Sequence, residues 1–541
     1  MVAATLRWID ANILGLGREL RLSYLPPLMV YAAYGVSGLT GIVGTFFVKE
    51  YLGLSAAFLA ALGFWAGIPW ALKMPLGHLV DLVWRWKSWL IFLGAGLTAA
   101  SLAIMAGLLT DRAAMTAVMP AESWFVLSTL LAPVGFVLQD VVADAMTVEA
   151  VPRVDAEGRP VPAESRKLMN ITMQTLGRVA LIGGLALVAA VNLYLFAGVE
   201  KLSEAEKVAI YRQVYLLALA IPLISVAGVA VAWRVRRRDV GRLVARGLSR
   251  TEAERLHAPP AERPAANWWI LGGSLLFVVF TLGMGFSDIK FNQEIIFAGS
   301  MAIIVFLIAK LTRELEPEMR ATLAGTAVVI FIFRAVPGPG EGLTWWMIDE
   351  LKFDQRFLAV LSLIGSVLTL FGMFLFRRFM AVRSIAYVVG FLTLLGTAFS
   401  LPIVGMYYGL HQWTAAATGG LVDARFIVLV NTALESPLGQ IAMIPMLAWI
   451  ANSAPQNLKA TYFAIMASFT NLALLASSLG AKYLNGVFTV TREVKDAATG
   501  VVKVPADYSE LGGLLVVQVI LSLALPFAAI LFARMTKFRS A

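Results

Sequence analysis

The sequence has 541 residues, of which 59% are hydrophobic and 14% are charged, and its formal net charge is +10. This composition excludes a water-soluble globular protein and a large soluble domain. The absence of cysteine excludes disulfides, thiolate metal sites and cysteine nucleophiles. A helix needs about 20 apolar residues to cross a hydrocarbon core of roughly 30 Å, so the chain has room for a dozen or more spans.

The N-terminal part of the chain predicts a surface segment followed by six transmembrane helices. Residues 1–24 mix arginines with apolar residues and lack the long apolar core of a signal peptide, so we predict a cytoplasmic amphipathic N-terminus. A six-helix bundle is predicted over residues 25–233. Its apolar runs lie at 25–48, 56–80, 88–109, 123–150, 166–197 and 208–233.

A basic stretch separates this bundle from the second half. Residues 234–266 contain Arg236-Arg237-Arg238 and Pro259-Pro260, which predicts a cytoplasmic linker. Two extra transmembrane helices are predicted within 267–312, and a second six-helix bundle over 313–541. The eight apolar runs lie at 267–287, 292–312, 320–336, 355–376, 382–405, 424–450, 457–485 and 510–535.

The charge distribution predicts the orientation of these spans. With both termini in the cytoplasm, most of the 44 Lys and Arg residues fall on the cytoplasmic side, as the positive-inside rule requires. Anionic lipid accounts for the net charge, so we expect no nucleic-acid partner. We expect an integral multi-pass protein of the bacterial inner membrane.

The loop between the second and third helices carries a recognisable motif. Gly77, Asp81, Arg85 and Lys87 place a glycine, an acid and two bases at successive turns. A glycine permits close approach of helices, and the acid can pair with a base across a bundle. The pattern resembles the cytoplasmic gating motif of the major facilitator superfamily, although an ordinary positive-inside loop would have a similar composition. We therefore predict an all-α major-facilitator fold with about fourteen spans.

Several charged residues lie inside apolar runs. Lys73 lies between Pro69 and Pro75, where a central lysine costs about 2.5 to 3.5 kcal/mol, so it either snorkels or faces a cavity. Asp140 and Asp144 are four residues apart and share one helical face.

The next predicted helix carries a polar stripe of Asn170, Gln174 and Arg178, also at four-residue spacing. Arg178 and Asp140 lie at similar depths on consecutive antiparallel helices, which predicts that they pair. Such a pair is typical of a polar cavity at mid-membrane, although a purely structural salt bridge remains an alternative.

The second half offers fewer charges of this kind. Glu435 is predicted to be a buried acid, with Gln440 a turn and a half further along the same helix. Arg334 precedes Pro337-Gly338-Pro339-Gly340, and it either reaches the outer interface or faces inward.

Several stretches of the sequence carry a more specific resemblance. They are Pro69-Trp70-x-x-Lys73-x-Pro75-x-Gly77-x-x-x-Asp81, Asp140-Val141-Val142-x-Asp144-Ala145, Phe333 through Leu351-Lys352-Phe353, and Gly439-Gln440-Ile441-Ala442-Met443-Ile444-Pro445 with the following Pro455 to Asn471. Together they resemble the folate-biopterin transporter family. Lys352 and Asn457-Leu458-Lys459 depart from the family pattern.

The resemblance implies proton-coupled uptake of a folate, a pterin or a related organic anion by a monomer. Asp140 or Asp144 would accept N–H donors of a pterin ring, and Arg178 or Lys73 would hold the carboxylate end. Asn170, Gln174, Glu435 and Gln440 complete the expected substrate site. Asp144 or Glu435 would carry the coupling proton.

Other functions stay open at this point. A muropeptide permease shares a similar fourth-helix stretch, and a membrane assembly factor could keep the fold without transporting anything. We find no phosphate-binding Gly-x-x-x-x-Gly-Lys motif. Because the three histidines are far apart in sequence, we expect no metal site, no cofactor and no enzyme activity.

Overall fold

A computed structural model gives the arrangement of the helices. It describes residues 20–47, 52, 54–71, 73–83, 86–152, 159, 161–199, 202–256, 268–285, 287, 289–314, 316–376, 383–439, 441, 459–495 and 502–536. The predicted amphipathic N-terminus therefore lies almost entirely outside the described residues. The regular secondary structure of the described part is helical apart from one small β-hairpin.

The N-terminal half contains the six predicted helices, some of them divided. Short 3-10 turns at Leu22–Tyr24 and Ser37–Thr40 flank the first one. The elements up to the linker are α1 (Leu25–Val36), α2 (Gly41–Phe47), α3 (Ala56–Ala71), α4 (Lys73–Leu82), α5 (Lys87–Thr110), α6 (Arg112–Val118), α7 (Ala121–Ala150), α8 (Ala163–Leu195), α9 (Glu204–Ala218), α10 (Ile221–Ala245) and α11 (Arg250–Leu256).

The rest of the chain contains the inserted pair and the second set of helices. Further 3-10 turns lie at Thr312–Glu314 and Ser436–Leu438. The elements are α12 (Trp268–Gly285), α13 (Asn292–Leu311), α14 (Pro317–Ala335), α15 (Glu341–Asp349), α16 (Gln355–Leu375), α17 (Ile385–Tyr407), α18 (Leu410–Ala417), α19 (Ala424–Glu435), α20 (Lys459–Val487), the strands β1 (Val494–Lys495) and β2 (Val502–Val504), and α21 (Leu511–Met535).

The helices make this an integral multi-pass membrane protein. Within the described residues, nine helices are long and apolar enough to cross a membrane, and two shorter apolar helices accompany them. Each of the fourteen predicted apolar runs contains helix in its described part. The number of spans, fourteen, and the division into domains stay predictions.

The helix bounds differ from the predicted runs in two informative places. The sixth span was predicted to end at 233, but α10 continues to Ala245, since helix-forming residues without proline follow. After α14, the Pro337-Gly340 segment forms a turn, with a positive φ at Gly340, and then a second short helix, α15.

The two halves meet along two seams. One pairs α3 with α20 and the other pairs α8 with α16. At the first seam the Asn471 side-chain amide donates to the backbone oxygen of Trp70 at 2.9 Å. This bond ties the second half to the point where α3 ends.

At the end of the bundle that carries the β1–β2 hairpin, here called the hairpin end, the halves are in close contact. The Gln355 amide donates to the Tyr211 hydroxyl at 2.8 Å across the halves. Ile348 packs in a hydrophobic cluster with Val43 and Phe46 of the N-terminal half. Contacts that join the halves therefore close the hairpin end.

The inserted pair packs on the α3–α20 seam and touches both halves. α13 lies against α20 and α12 lies against α13 and α4. The buried Gln293 donates to the backbone oxygen of Ala61 at 3.3 Å and accepts from Lys482 at 2.9 Å. Lys482 also forms an ion pair with Glu294 at 3.0 Å. The pair is thus part of the folded bundle.

The crossing of α1 and α8 depends on two glycines. A methyl group at Gly35 would overlap the backbone oxygen of Leu181, and a Cβ at Gly184 would lie 2.8 Å from the Gly35 Cα. Because backbone atoms cannot rotate away, only glycine permits this approach.

We expect Gly35→Ala to lower the stability of the protein by about 1 to 3 kcal/mol, because α1 and α8 must separate to admit the methyl group. Gly41→Ala is the matched control, since a Cβ at Gly41 meets no atom within 4 Å. The measurement is the thermal unfolding midpoint in detergent. Equal midpoints for the two variants would contradict the proposed helix contact.

Candidate functional site

The site begins in the second predicted span. The described residues on either side of Leu72 are helical, with α3 up to Ala71 and α4 from Lys73, and Leu72 lies outside the described residues. Pro69 and Pro75 stand on either side of Lys73, and a proline removes a backbone donor and can bend a helix. Lys73 lies in the interior of the N-terminal half, with 21% of its side chain exposed.

Lys73 contacts two carboxylates on α7. Its ammonium lies 2.6 Å from Oδ2 of Asp140 and 2.8 Å from Oδ2 of Asp144. The exposed fractions of the three side chains are 21% for Lys73, 14% for Asp140 and 43% for Asp144. The four-residue spacing predicted that the acids share a face, and the structure shows one lysine bridging them. Lys73 is therefore paired inside the protein and does not snorkel.

Tyr31 completes the contacts of Asp144. Its hydroxyl donates to Oδ1 of Asp144 at 2.7 Å, and its ring packs against Gly177 of α8. Asp144 therefore has a different partner on each oxygen, a lysine on one and a phenol on the other. Sequence reasoning missed Tyr31, because no local pattern distinguishes it from a packing residue.

The predicted pair of Arg178 with Asp140 is wrong as a direct contact. Among the described residues no ion pair joins Arg178 to either carboxylate, and Lys73 takes that place. The arginine still lies within electrostatic range of Asp140 and of Arg334 from the second half. The charges of Lys73, Asp140, Asp144 and Arg178 cancel one another, and Arg334 adds one positive charge beside them.

The structure gives less information on the other predicted site residues. Asn170 and Gln174 lie on α8, and Gln440 lies outside the described residues. Glu435 is the last residue of α19, and a 3-10 turn at Ser436–Leu438 follows, so the single straight helix expected there is interrupted. Its side chain is exposed on the surface of the bundle, and its place in the substrate site stays a prediction.

The gating motif is partly described. Lys87 is buried and forms a 2.6 Å ion pair with Glu149 at the end of α7, a partner that the motif alone did not identify. A Cβ at Gly77 would meet no atom within 4 Å among the described residues, so that part of the chain does not form the close contact expected there. Asp81 lies on α4, and Arg85 lies outside the described residues.

An aromatic recess lies beside the charges. The Tyr34 ring centroid is 5.5 Å from that of Trp70 and 5.4 Å from that of Phe136. A small pocket there is lined by Val30, Tyr31, Tyr34, Phe136, Gln139 and Asp140. We define the aromatic recess as Tyr34, Trp70 and Phe136. The part of the chain that the structure describes contains no group of three metal-ligating side chains.

Relatives of the chain are transporters. Residues 281–539 match the BT1 family. The chain is 24% identical over 471 residues to the folate-biopterin transporter of Synechocystis sp., which is 86% of this chain and 75% of that protein. It is also 24% identical over 155 residues to the probable folate-biopterin transporter 6 of Arabidopsis thaliana, 28% of this chain and 30% of that protein. The predicted resemblance is confirmed.

Solved structures share the fold. A POT family transporter in complex with 5-aminolevulinic acid aligns with a TM-score of 0.58 at 11% identity, over 95% of this chain and 96% of that one. The peptide transporter POT in complex with sulfate aligns with a TM-score of 0.56 at 15% identity, over 95% of each chain. The predicted major-facilitator fold is confirmed, and these relatives are transporters rather than enzymes.

We expect Lys73→Met to destabilise the protein by roughly 2 to 4 kcal/mol. Removal of one partner leaves buried charge uncompensated, which costs 3 to 5 kcal/mol in a fully buried pair, and the exposure of Asp144 reduces this figure. Thermal unfolding in detergent measures the effect, with Lys290→Met as the control in a loop.

The double variant Lys73→Met with Asp140→Asn is expected to recover at least half of the lost stability, because it removes the more buried of the two unpaired carboxylates. If the double variant is less stable than Lys73→Met alone, the lysine does not act by neutralising Asp140.

Proposed function

We propose that this chain, a membrane transporter homologous to the folate-biopterin transporters, takes up a folate, a pterin or a related organic anion together with protons. The observation that carries the proposal is the bridge that Lys73 makes between Asp140 and Asp144 inside the N-terminal half. Charged groups are costly inside a membrane and mark substrate and ion pathways there.

The arrangement suits a cargo with a donor-rich ring and an anionic end. A carboxylate can accept two adjacent N–H donors of a pterin ring in a bidentate pair. Asp144 is the accessible acid, with 43% of its side chain exposed. Arg178, which has no ion pair among the described residues, offers a planar set of donors to a carboxylate. Arg334 adds positive charge from the other half.

Asp144 is also the better placed of the two proton candidates. Its negative form accepts from both Lys73 and Tyr31. A proton on Asp144 would release Lys73 to Asp140 alone and add one positive charge to the site. Anion binding and proton binding would then favour each other, because linkage is reciprocal. Among the described residues, Glu435 of the second half accepts a hydrogen bond from Asn431 at 3.5 Å and forms no ion pair.

The fold supplies the motion that transport needs. Contacts between the halves close the hairpin end, as Gln355 with Tyr211 shows. Alternating access would open this end by rocking the halves along the α3–α20 and α8–α16 seams. We place both termini in the cytoplasm and the hairpin end outside, because this orientation puts most Lys and Arg residues on the cytoplasmic side. The proposal also takes the chain to be a monomer in the bacterial inner membrane.

Uptake into proteoliposomes tests the proposal. We expect saturable entry of radiolabelled folate or biopterin that an inwardly directed proton gradient stimulates at least 10-fold. Saturable entry of anhydro-muropeptide without folate or biopterin would contradict the cargo. If none of these enters, and neutral variants of Asp140, Asp144 and Arg178 support growth as the parent does, the chain is a scaffold rather than a carrier.

The variant Asp144→Asn tests proton coupling separately from substrate binding. Asparagine resembles a protonated aspartate, so we expect gradient-driven accumulation to fall at least 10-fold while exchange of labelled for unlabelled substrate persists. Glu122→Gln is the control, because Glu122 is an exposed acid on the same helix. Full gradient stimulation in Asp144→Asn would assign the coupling proton to another group.

A further inference from the structure

The aromatic recess has a shape and surroundings that the charge bridge does not explain. Tyr34 lies on α1, Trp70 near the end of α3 and Phe136 on α7, so three different helices bring the rings together. All three side chains are partly exposed, whereas Val137 and Val141 beside them on α7 are buried. Trp70 also packs against the buried cluster that contains Val137 and Val141, so the recess is the partly exposed margin of that cluster, beside the charges.

The polar edge of the recess is the same acid that Lys73 holds. Asp140 and Gln139 line the pocket together with Tyr31, Tyr34 and Phe136. The Gln139 amide nitrogen donates to the Thr98 hydroxyl and to the Gly135 backbone oxygen. Asp140 is the charged acceptor among the described residues that line the pocket.

The Tyr34 hydroxyl is available to a ligand. It lies within electrostatic range of Asp140, Lys73 and Arg178, yet it has no hydrogen-bond partner among the residues that the structure describes. The Tyr34 side chain is partly exposed at the pocket, so its hydroxyl can donate to or accept from a ligand there without first losing a protein partner.

We propose that Tyr34, Trp70 and Phe136 form a ring-binding subsite that takes a flat nitrogen heterocycle, with Asp140 accepting the donors on its edge. Aromatic faces stack on flat rings at low entropic cost, and an adjacent carboxylate fixes the orientation of the ring. A sugar or a muropeptide lacks such a ring, so the subsite would favour a heterocyclic cargo over these. The inference rests on the proposed function, and it adds residues that contact the ring.

Fluorescence titration of the purified full-length protein tests the subsite. The probes are biopterin, which has the ring and no carboxylate, and folate, which has both. We expect Tyr34→Ala to weaken the binding of both probes by about 5- to 100-fold, the range typical of stacking on a protein aromatic ring. Tyr34→Phe keeps the ring and should lose less than about 5-fold. Stacking should also quench pterin fluorescence in the wild type and lose this effect in Tyr34→Ala.

Two further variants distinguish a specific loss of ring binding from a general loss of binding or folding. Phe136→Leu should weaken both probes, as Tyr34→Ala does, whereas Arg178→Gln should weaken folate and spare biopterin. Tyr194→Ala is the control, because Tyr194 is 82% exposed at the end of α8; it should change nothing.

The outcomes separate a failure of the proposed subsite from a failure of the proposed function on which it rests. If the wild type binds biopterin and folate, and Tyr34→Ala and Phe136→Leu bind them equally well with the same quenching, the subsite is wrong and the proposed function stands. If the wild type binds neither probe, or binds only muropeptide, both proposals are overturned.

Discussion

The placement of charge in an apolar interior is the constraint on which the N-terminal half depends. Lys73 could not remain charged there without a partner, and one carboxylate alone would leave the second acid uncompensated. Sharing the ammonium between Asp140 and Asp144 satisfies both acids at 2.6 and 2.8 Å. The Tyr31 hydroxyl then satisfies the remaining oxygen of Asp144. The positions of α1, α4 and α7 are linked through these contacts.

A contact next to Lys73 also connects the two halves. The side-chain amide of Asn471 on α20 donates to the backbone oxygen of Trp70, three residues before Lys73, at 2.9 Å. Pro69 and Pro75 lie nearby, and each lacks the backbone N–H that a helix would use. If the halves rock along the α3–α20 seam, as proposed above, this bond must break or be replaced, so the segment that carries Lys73 would be coupled to the arrangement of the halves.

Much of the fold was predictable, because helix length and apolar runs are local properties of the sequence. The spacing of Asp140 and Asp144 likewise fixed their shared face through helical geometry alone. The partner of Asp140 was not predictable in this way, because it depends on which helix lies beside α7. The aromatic recess was not predictable either, because its three rings come from three helices and no local sequence pattern near Tyr34 indicates that they meet. The helix break after Glu435 was not predicted, because one apolar run continues through the Ser436-Pro437 pair where the structure has a 3-10 turn.

Helix α1 links the residues to which the proposals assign the ring and the proton. Tyr31 and Tyr34 are three residues apart on α1, so they lie on neighbouring positions of one face, and Tyr31 contacts Asp144 while Tyr34 borders the pocket. Gly35, the next residue, allows α1 to touch the backbone of α8, the helix that carries Arg178. If the cargo and the proton bind as proposed, a ligand that moved α1 would act on Asp144 and on Arg178 together. Such coupling would need no long pathway, because α1 packs against both α7 and α8.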